Sequence, residues 1–171
     1  STTGDAVDFG DMDNNVRNGS SACSPTRGIV SRGNPSTNIM QYLTISTLGD
    51  MSDFGDATTA DNSAVGTGSN AIRGINFTAS YSPNTDDVID FITIATLGNA
   101  QDFGDLVRGS EWTCGAASPT RAVFHNPGGN TDAVHMDYAQ IMTKGNAVDF
   151  GDATQALGRS SAGSNGHGGL G

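Results

Sequence analysis

Glutamate, lysine and tryptophan are almost missing from this sequence: Glu111, Lys144 and Trp112 are its only copies. Every other acidic residue is aspartate, a poor helix former that bonds its own backbone in turns. A helical protein would use Glu and Lys freely, so helices are not expected. Positive charge is scarce, with 8 Lys and Arg against 18 acidic residues and a net charge of −10. Non-specific nucleic-acid binding needs a positive surface to displace counterions, and an anionic membrane would repel this chain. No stretch approaches the roughly 18–20 apolar residues that span a bilayer. No signal peptide is visible; the chain opens at Ser1, so a leader could already be gone. The two cysteines, Cys23 and Cys114, form no zinc pattern. Two free buried thiols are expected over a disulfide, although spacing alone leaves both open.

Glycine, by contrast, is abundant at 24 residues, while aromatics make up only 6%. That balance favours many short strands joined by tight turns, within one domain spanning residues 1–171.

One phrase organises the whole length. Asp-Phe-Gly-Asp occurs four times: Asp8-Phe9-Gly10-Asp11, Asp53-Phe54-Gly55-Asp56, Asp102-Phe103-Gly104-Asp105 and Asp149-Phe150-Gly151-Asp152. The phenylalanines are 45, 49 and 47 residues apart. Periods of about 40–50 residues indicate propellers and related arrays. The frame is three repeats, about 8–52, 53–101 and 102–148, and a partial fourth, 149–171. Some 18 residues after a Phe comes Arg27, Arg73 or Arg121, then a Gly/Pro/Asn-rich turn and an apolar run. In the runs, Tyr42, Phe91 and Tyr138 align, as do Ile45, Ile94 and Ile141, and Gly49, Gly98 and Gly145.

The runs "NIMQYLTISTLGD", "DVIDFITIATLGN" and "AVHMDYAQIMTKGN" read as strands, rich in Ile, Thr and Tyr and bounded by turn residues. Both faces carry apolar groups, which suits strands covered on both sides. "TRGIVSRG", "IRGINFTA" and "TRAVFHNP" are shorter strands expected to pair with them as hairpins. "SAVGTG" could supply one more, giving three or four strands per period, the content of a propeller blade. The Phe is then an apolar plug, its Gly permits φ > 0, and the flanking Asp side chains bond nearby N–H groups. The phrase is expected to form a corner that seats each blade on its neighbour, with all four Phe rings in equivalent buried settings. A kinase reading of "DFG" fails, because the glycine-rich loop, strand lysine and catalytic His-Arg-Asp are absent from the sequence.

"SPTRGIV", "VIDFITIATLGNAQDFGDL" and "KGNAVDFGDAT" resemble the repeats of a protein family encoded by marine bacteriophages, especially those infecting cyanobacteria. The tail "SNGHGGLG" is similar to the end of such proteins, and the resemblance covers nearly the whole chain. It implies a virion component, tail-fibre-like or otherwise structural, with no catalytic residues. The period is also similar to the kelch motif of β-propellers. Kelch blades carry a Gly-Gly pair after the second strand and a Trp later. Here Arg32-Gly33 and "PGG" at Pro127 are partial matches, the second repeat has neither, and Trp112 lies elsewhere in the period.

The fold expected is therefore all-β, with kelch-like β-propeller blades; a pseudo-threefold β-trefoil or β-prism is the alternative. "STTGDAV" matches the end of a period and "DFGDATQALGRSS" its beginning, so three blades are complete and a fourth lacks its middle. Ordinary propellers have four to eight blades, so copies of the chain are expected to associate.

Other sites weigh less. Asp11, Asp13, Asn14 and Asn15 offer oxygen ligands suited to Ca²⁺, but the Gly and distal Glu of an EF-hand loop are missing. They read as a solvated turn, and no cofactor is expected. His125, His135 and His167 occupy different positions in the period, and no Gly-x-Ser-x-Gly elbow occurs. No enzyme is expected. Arg27, Arg73 and Arg121 either meet an anionic partner or bond the aspartates of a neighbouring repeat. Glu111 and Trp112 depart from their own repeat pattern, which marks them as candidate ligand contacts, with Trp112 exposed to stack on a sugar. The expected role is a virion-surface structural protein, acting through contacts with copies of itself and other virion proteins. A receptor- or glycan-binding module at a fibre tip is the alternative.

Overall fold

Each sheet is a four-stranded antiparallel meander that starts inside one period and takes its fourth strand from the motif opening the next. The computed structural model describes residues 4–61, 66–77, 87–110, 112–127, 133–158 and 160–163. Among these, twelve strands form three sheets and no residue is helical. The first sheet holds β1 (Ser20–Cys23), β2 (Arg27–Gly33), β3 (Thr37–Thr44) and β4 (Ser52–Asp61). The second holds β5 (Gly66–Ser69), β6 (Arg73–Phe77), β7 (Val88–Thr93) and β8 (Gln101–Asp105). The third holds β9 (Cys114–Ala117), β10 (Arg121–His125), β11 (Ala133–Gln140) and β12 (Val148–Leu157). Strand order follows chain order throughout.

The turn before each Arg is closed by a side chain. The N–H groups of Arg27, Arg73 and Arg121 donate to Ser24 Oγ (3.2 Å), Asn70 Oδ1 (2.8 Å) and Ser118 Oγ (3.0 Å). Ser and Asn suit such turns because their short side chains reach the backbone three residues on. The expected hairpins β2–β3, β6–β7 and β10–β11 are present, although the turn segments 78–86 and 128–132 lie outside the described residues. The apolar runs end sooner than the sequence suggests. Ile45, Ile94 and Ile141 sit in turns just past their strands, each N–H held by the carbonyl of Thr26, Ile72 or Thr120.

Asp-Phe-Gly-Asp is not a corner. Three copies lie inside the fourth strand of a sheet, where the register slips by one residue. Met40 pairs with Gly55 and Gln41 with Asp53, leaving Phe54 as the extra residue of a β-bulge. Phe103 and Phe150 are left over in the same way. The rings of Phe54 and Phe103 pack against the next sheet from these bulges.

The sheets stack through two cores. Ile29, Met40, Phe54 and Ala57 of the first sheet pack on Ile92 and Ile94 of the second. Ile75, Ile89, Phe91 and Phe103 of the second pack on Ala122, Phe124, Ala139 and Ile141 of the third. The first strands, "SSAC", "GTGS" and "CGAA", use small residues because they converge. A Cβ on Gly68 would lie 2.7 Å from that of Ala122. Thr67 Oγ1 donates to the Ser21 carbonyl (2.7 Å), tying β5 to β1.

Candidate assembly interface

A single joint recurs wherever one Asp-Phe-Gly-Asp motif meets the following sheet. The Gly98 N–H donates to the Phe54 carbonyl and the Ala100 N–H to the Asp56 carbonyl, both at 2.8 Å. The Asp56 N–H returns a bond to Asn99 Oδ1 (3.0 Å). One repeat later, Gly145 and Ala147 donate to Phe103 and Asp105, and the Asp105 N–H donates to Asn146 Oδ1 (3.2 Å). The amino-terminal motif does the same. Gly49 and Met51 donate to Phe9 and Asp11, and the Asp11 N–H donates to Asp50 Oδ1 (2.9 Å).

The motif glycine makes this approach possible. Gly10, Gly55, Gly104 and Gly151 have φ of 145°, 135°, 149° and 133°, a region that L side chains rarely adopt. A Cβ on Gly55 would stand 2.6 Å from the Gly98 carbonyl carbon, and one on Gly104 equally close to that of Gly145. The first Asp of the motif braces the turn: Asp8, Asp53 and Asp149 accept the N–H of Gly10, Gly55 and Gly151 at 3.1–3.2 Å.

Arginine adds a second contact. Arg27, Arg73 and Arg121 lie over the rings of Tyr42, Phe91 and Tyr138, at 4.6, 4.2 and 4.6 Å from the centroids. Those rings meet Phe54, Phe103 and Phe150 edge-on at about 6 Å. Arg27 then donates across the joint to the Ile94 carbonyl (2.7 Å), and Arg73 to that of Ile141 (2.9 Å). The partner of Arg27 and of Arg73 is thus a backbone carbonyl of the next repeat rather than its aspartates. A planar guanidinium stacks its face on a ring and still donates from its edge, so the ring contact and the carbonyl bond are made together.

A third contact is buried and polar. Gln41, Asp90 and Asp137 occupy equivalent places in β3, β7 and β11, and all three are buried. Gln41 Oε1 accepts the Asp13 N–H (2.7 Å), and Asp90 Oδ2 accepts the Thr58 N–H (3.0 Å). Asp137 is bonded by the Val107 backbone and by Asn126 Nδ2 (3.1 Å). Burial nevertheless raises the Asp137 pKa, against the lowering pull of Asn126, Arg108 and Val107. Folded Asp137 therefore keeps its proton to higher pH than the unfolded chain, which releases it near 3.8. Between those two values the folded state binds more protons, so stability falls as pH rises through the window. Asp137→Asn should remove that component. Urea denaturation from pH 3.5 to 6.5 is expected to show a flatter profile for the variant than for the parent.

The two ends of the stack differ from its middle. Phe54 and Phe103 are 2% exposed, but Phe9 is 37% and Phe150 46% exposed. The four rings are therefore not equivalent: among the described residues Phe9 has no sheet of its own and Phe150 no following one. The aligned isoleucines show the same break, with Ile94 and Ile141 buried and Ile45 46% exposed. A Cβ on Gly151 would meet nothing within 4 Å.

The remaining candidates do not converge on this surface. Trp112 is half-buried rather than exposed, with φ of 59°, and Glu111 lies outside the described residues. Asp11 and Asp13 enter the joints through their backbone N–H groups. Cys23 and Cys114 are free thiols, half-buried. His135 Nδ1 lies 3.3 Å from Asp152 Oδ1, and His167 lies outside the described residues.

Sequence reasoning missed two features. The asparagine or aspartate after Gly49, Gly98 and Gly145 accepts a bond in every joint, and its place in the period was the available signal. His125 Nδ1 lies 2.8 Å from Ser160 Oγ, which lies 3.1 Å from Cys114 Sγ. His125 Nε2 meets the Ala133 carbonyl (2.8 Å), where a catalytic triad would place a carboxylate. No spacing announces that cluster, and its geometry ties the segment at Ser160 to the third sheet. No protein-family profile matches the chain, and no characterised protein matches it significantly.

Proposed function

We propose that this chain is a structural protein of the bacteriophage particle surface, whose four-stranded sheets are kelch-like propeller blades acting through assembly contacts. The observation that carries the reading is the recurring joint. Between the first and second sheets and between the second and third, the motif residues, the stacked arginine and the buried polar residue all serve to hold one sheet to the next. A surface built this way offers a stable lattice of small contacts to copies of itself and to other virion proteins. The phage assignment comes from the repeat resemblance. Antibody labelling of purified particles, read by electron microscopy, tests it. Label at regular positions on the capsid or tail is expected; particles that neither bind the antibody nor contain the chain by mass spectrometry would overturn the assignment.

A further inference from the structure

The third sheet presents, with no following sheet among the described residues, the face that the first and second sheets use to hold their successors. Arg121 is exposed yet stacked on Tyr138, as Arg27 is on Tyr42. Phe150 sits edge-on to Tyr138 at 6.1 Å, the geometry of Tyr42 and Phe54. Gly151 has the motif φ and its bond to Asp149. The half-joint is thus formed before anything occupies it, which lowers the ordering cost of binding.

The complementary half is on the first sheet. Its Gly49 loop, Gln41 and Ile45 match Gly98, Asp90 and Ile94 of the second sheet and Gly145, Asp137 and Ile141 of the third. Gly49 and Gln41 are occupied by the chain's own residues Phe9–Asp13, a motif with no sheet behind it among the described residues. That segment reproduces the backbone bonds of the joint but not its packing, since Ile45 stays 46% exposed and Phe9 37% exposed.

We propose that the third sheet of one copy docks on the first sheet of a second copy by this joint, and that residues 8–13 are a strap holding the site until displaced. The inference rests on the assembly reading above. In the docked state Gly49 and Met51 of one copy donate to Phe150 and Asp152 of the other. Arg121 donates to the Ile45 carbonyl, and the exposed Phe150 and Ile45 cover each other. The incoming sheet outcompetes the strap because it supplies the same backbone bonds together with the arginine bond and apolar burial. A second copy is the fitting occupant, because the chain's own first sheet carries the half-joint that the face of Arg121, Phe150 and Gly151 matches. Two copies joined head to tail twice give six sheets, inside the usual range of four to eight.

The test is sedimentation of the full chain across concentration and salt, with three variants. Gly10→Ala places a Cβ against the Gly49 carbonyl and expels the strap; deletion of residues 1–13 removes it outright. Either should strengthen association about tenfold or more, because the competitor is gone. Gly151→Ala, which meets no neighbour in the free chain, should weaken association by roughly a hundredfold. Circular dichroism verifies that each variant is folded. Self-association that moves in these opposite directions supports the joint, whether the product is a closed pair or a longer array. Association unchanged by all three variants would overturn the joint and leave the assembly reading standing. A folded monomer at every concentration, strap deleted or not, would overturn both the joint and self-assembly.

Discussion

Gly55→Ala is expected to lower stability by roughly 2–6 kcal/mol, enough to unfold a typical domain under mild conditions. Two costs add. An L residue at φ of 135° carries strain on the order of 1–3 kcal/mol. The new Cβ also meets the Gly98 carbonyl at 2.6 Å, so the two sheets must separate or the bulge must distort. Both atoms are backbone, so no rotamer change relieves the clash, and the bonds from Gly98 and Ala100 weaken with it. Gly151→Ala keeps the first cost and lacks the second in the isolated chain, so its effect should stay within about 1–3 kcal/mol. Urea denaturation of the two variants checks this, read as a midpoint shift at unchanged slope. Equal effects at Gly55 and Gly151 would show that close approach between sheets is not what the glycine serves.

The period made the meanders legible. Alignment of Tyr42 with Phe91 and Tyr138 fixed which runs are third strands, and β3, β7 and β11 lie there. The position of the motif within a sheet was harder. A Phe-Gly pair flanked by aspartates looks like a turn by composition, yet register slippage at Met40 and Gln41 makes it a bulge in a continuous strand. Bulges depend on the partner strand, which a linear reading does not supply. The arginine contact was hidden for a related reason. Charge suggests an aspartate partner, but Arg27 and Ile94 are 67 residues apart and their bond is to a carbonyl that every residue possesses. The difference between the rings ran against expectation: four identical phrases read as four equivalent buried settings, yet Phe9 and Phe150 are partly open, because burial depends on which sheets flank a motif and not on the motif itself.

Phe54→Ala and Phe103→Ala are each expected to cost about 3–5 kcal/mol, the range for deleting a well-packed aromatic. Phe54 is held between Tyr42 on its own sheet and Ile92 and Ile94 on the next, so its removal leaves a cavity bounded by two rigid sheets. Phe103 fills the corresponding place between Phe91 and Ile141. Phe150 has the same edge-on neighbour, Tyr138, but no sheet beyond it among the described residues and nearly half its surface open. Its truncation removes one ring contact and only about half the buried area lost at Phe54, so a cost of about 1–2 kcal/mol is expected in the isolated chain. Under conditions where copies associate, the cost at Phe150 should rise with protein concentration, because the ring then fills the place that Phe54 fills internally. Thermal unfolding at dilute and concentrated protein separates the cases. The Phe54 and Phe103 variants should lose the same stability at both concentrations. For Phe150 the loss should grow on concentration, and a loss that stays small would mean that the third sheet's outer face is never covered by another copy.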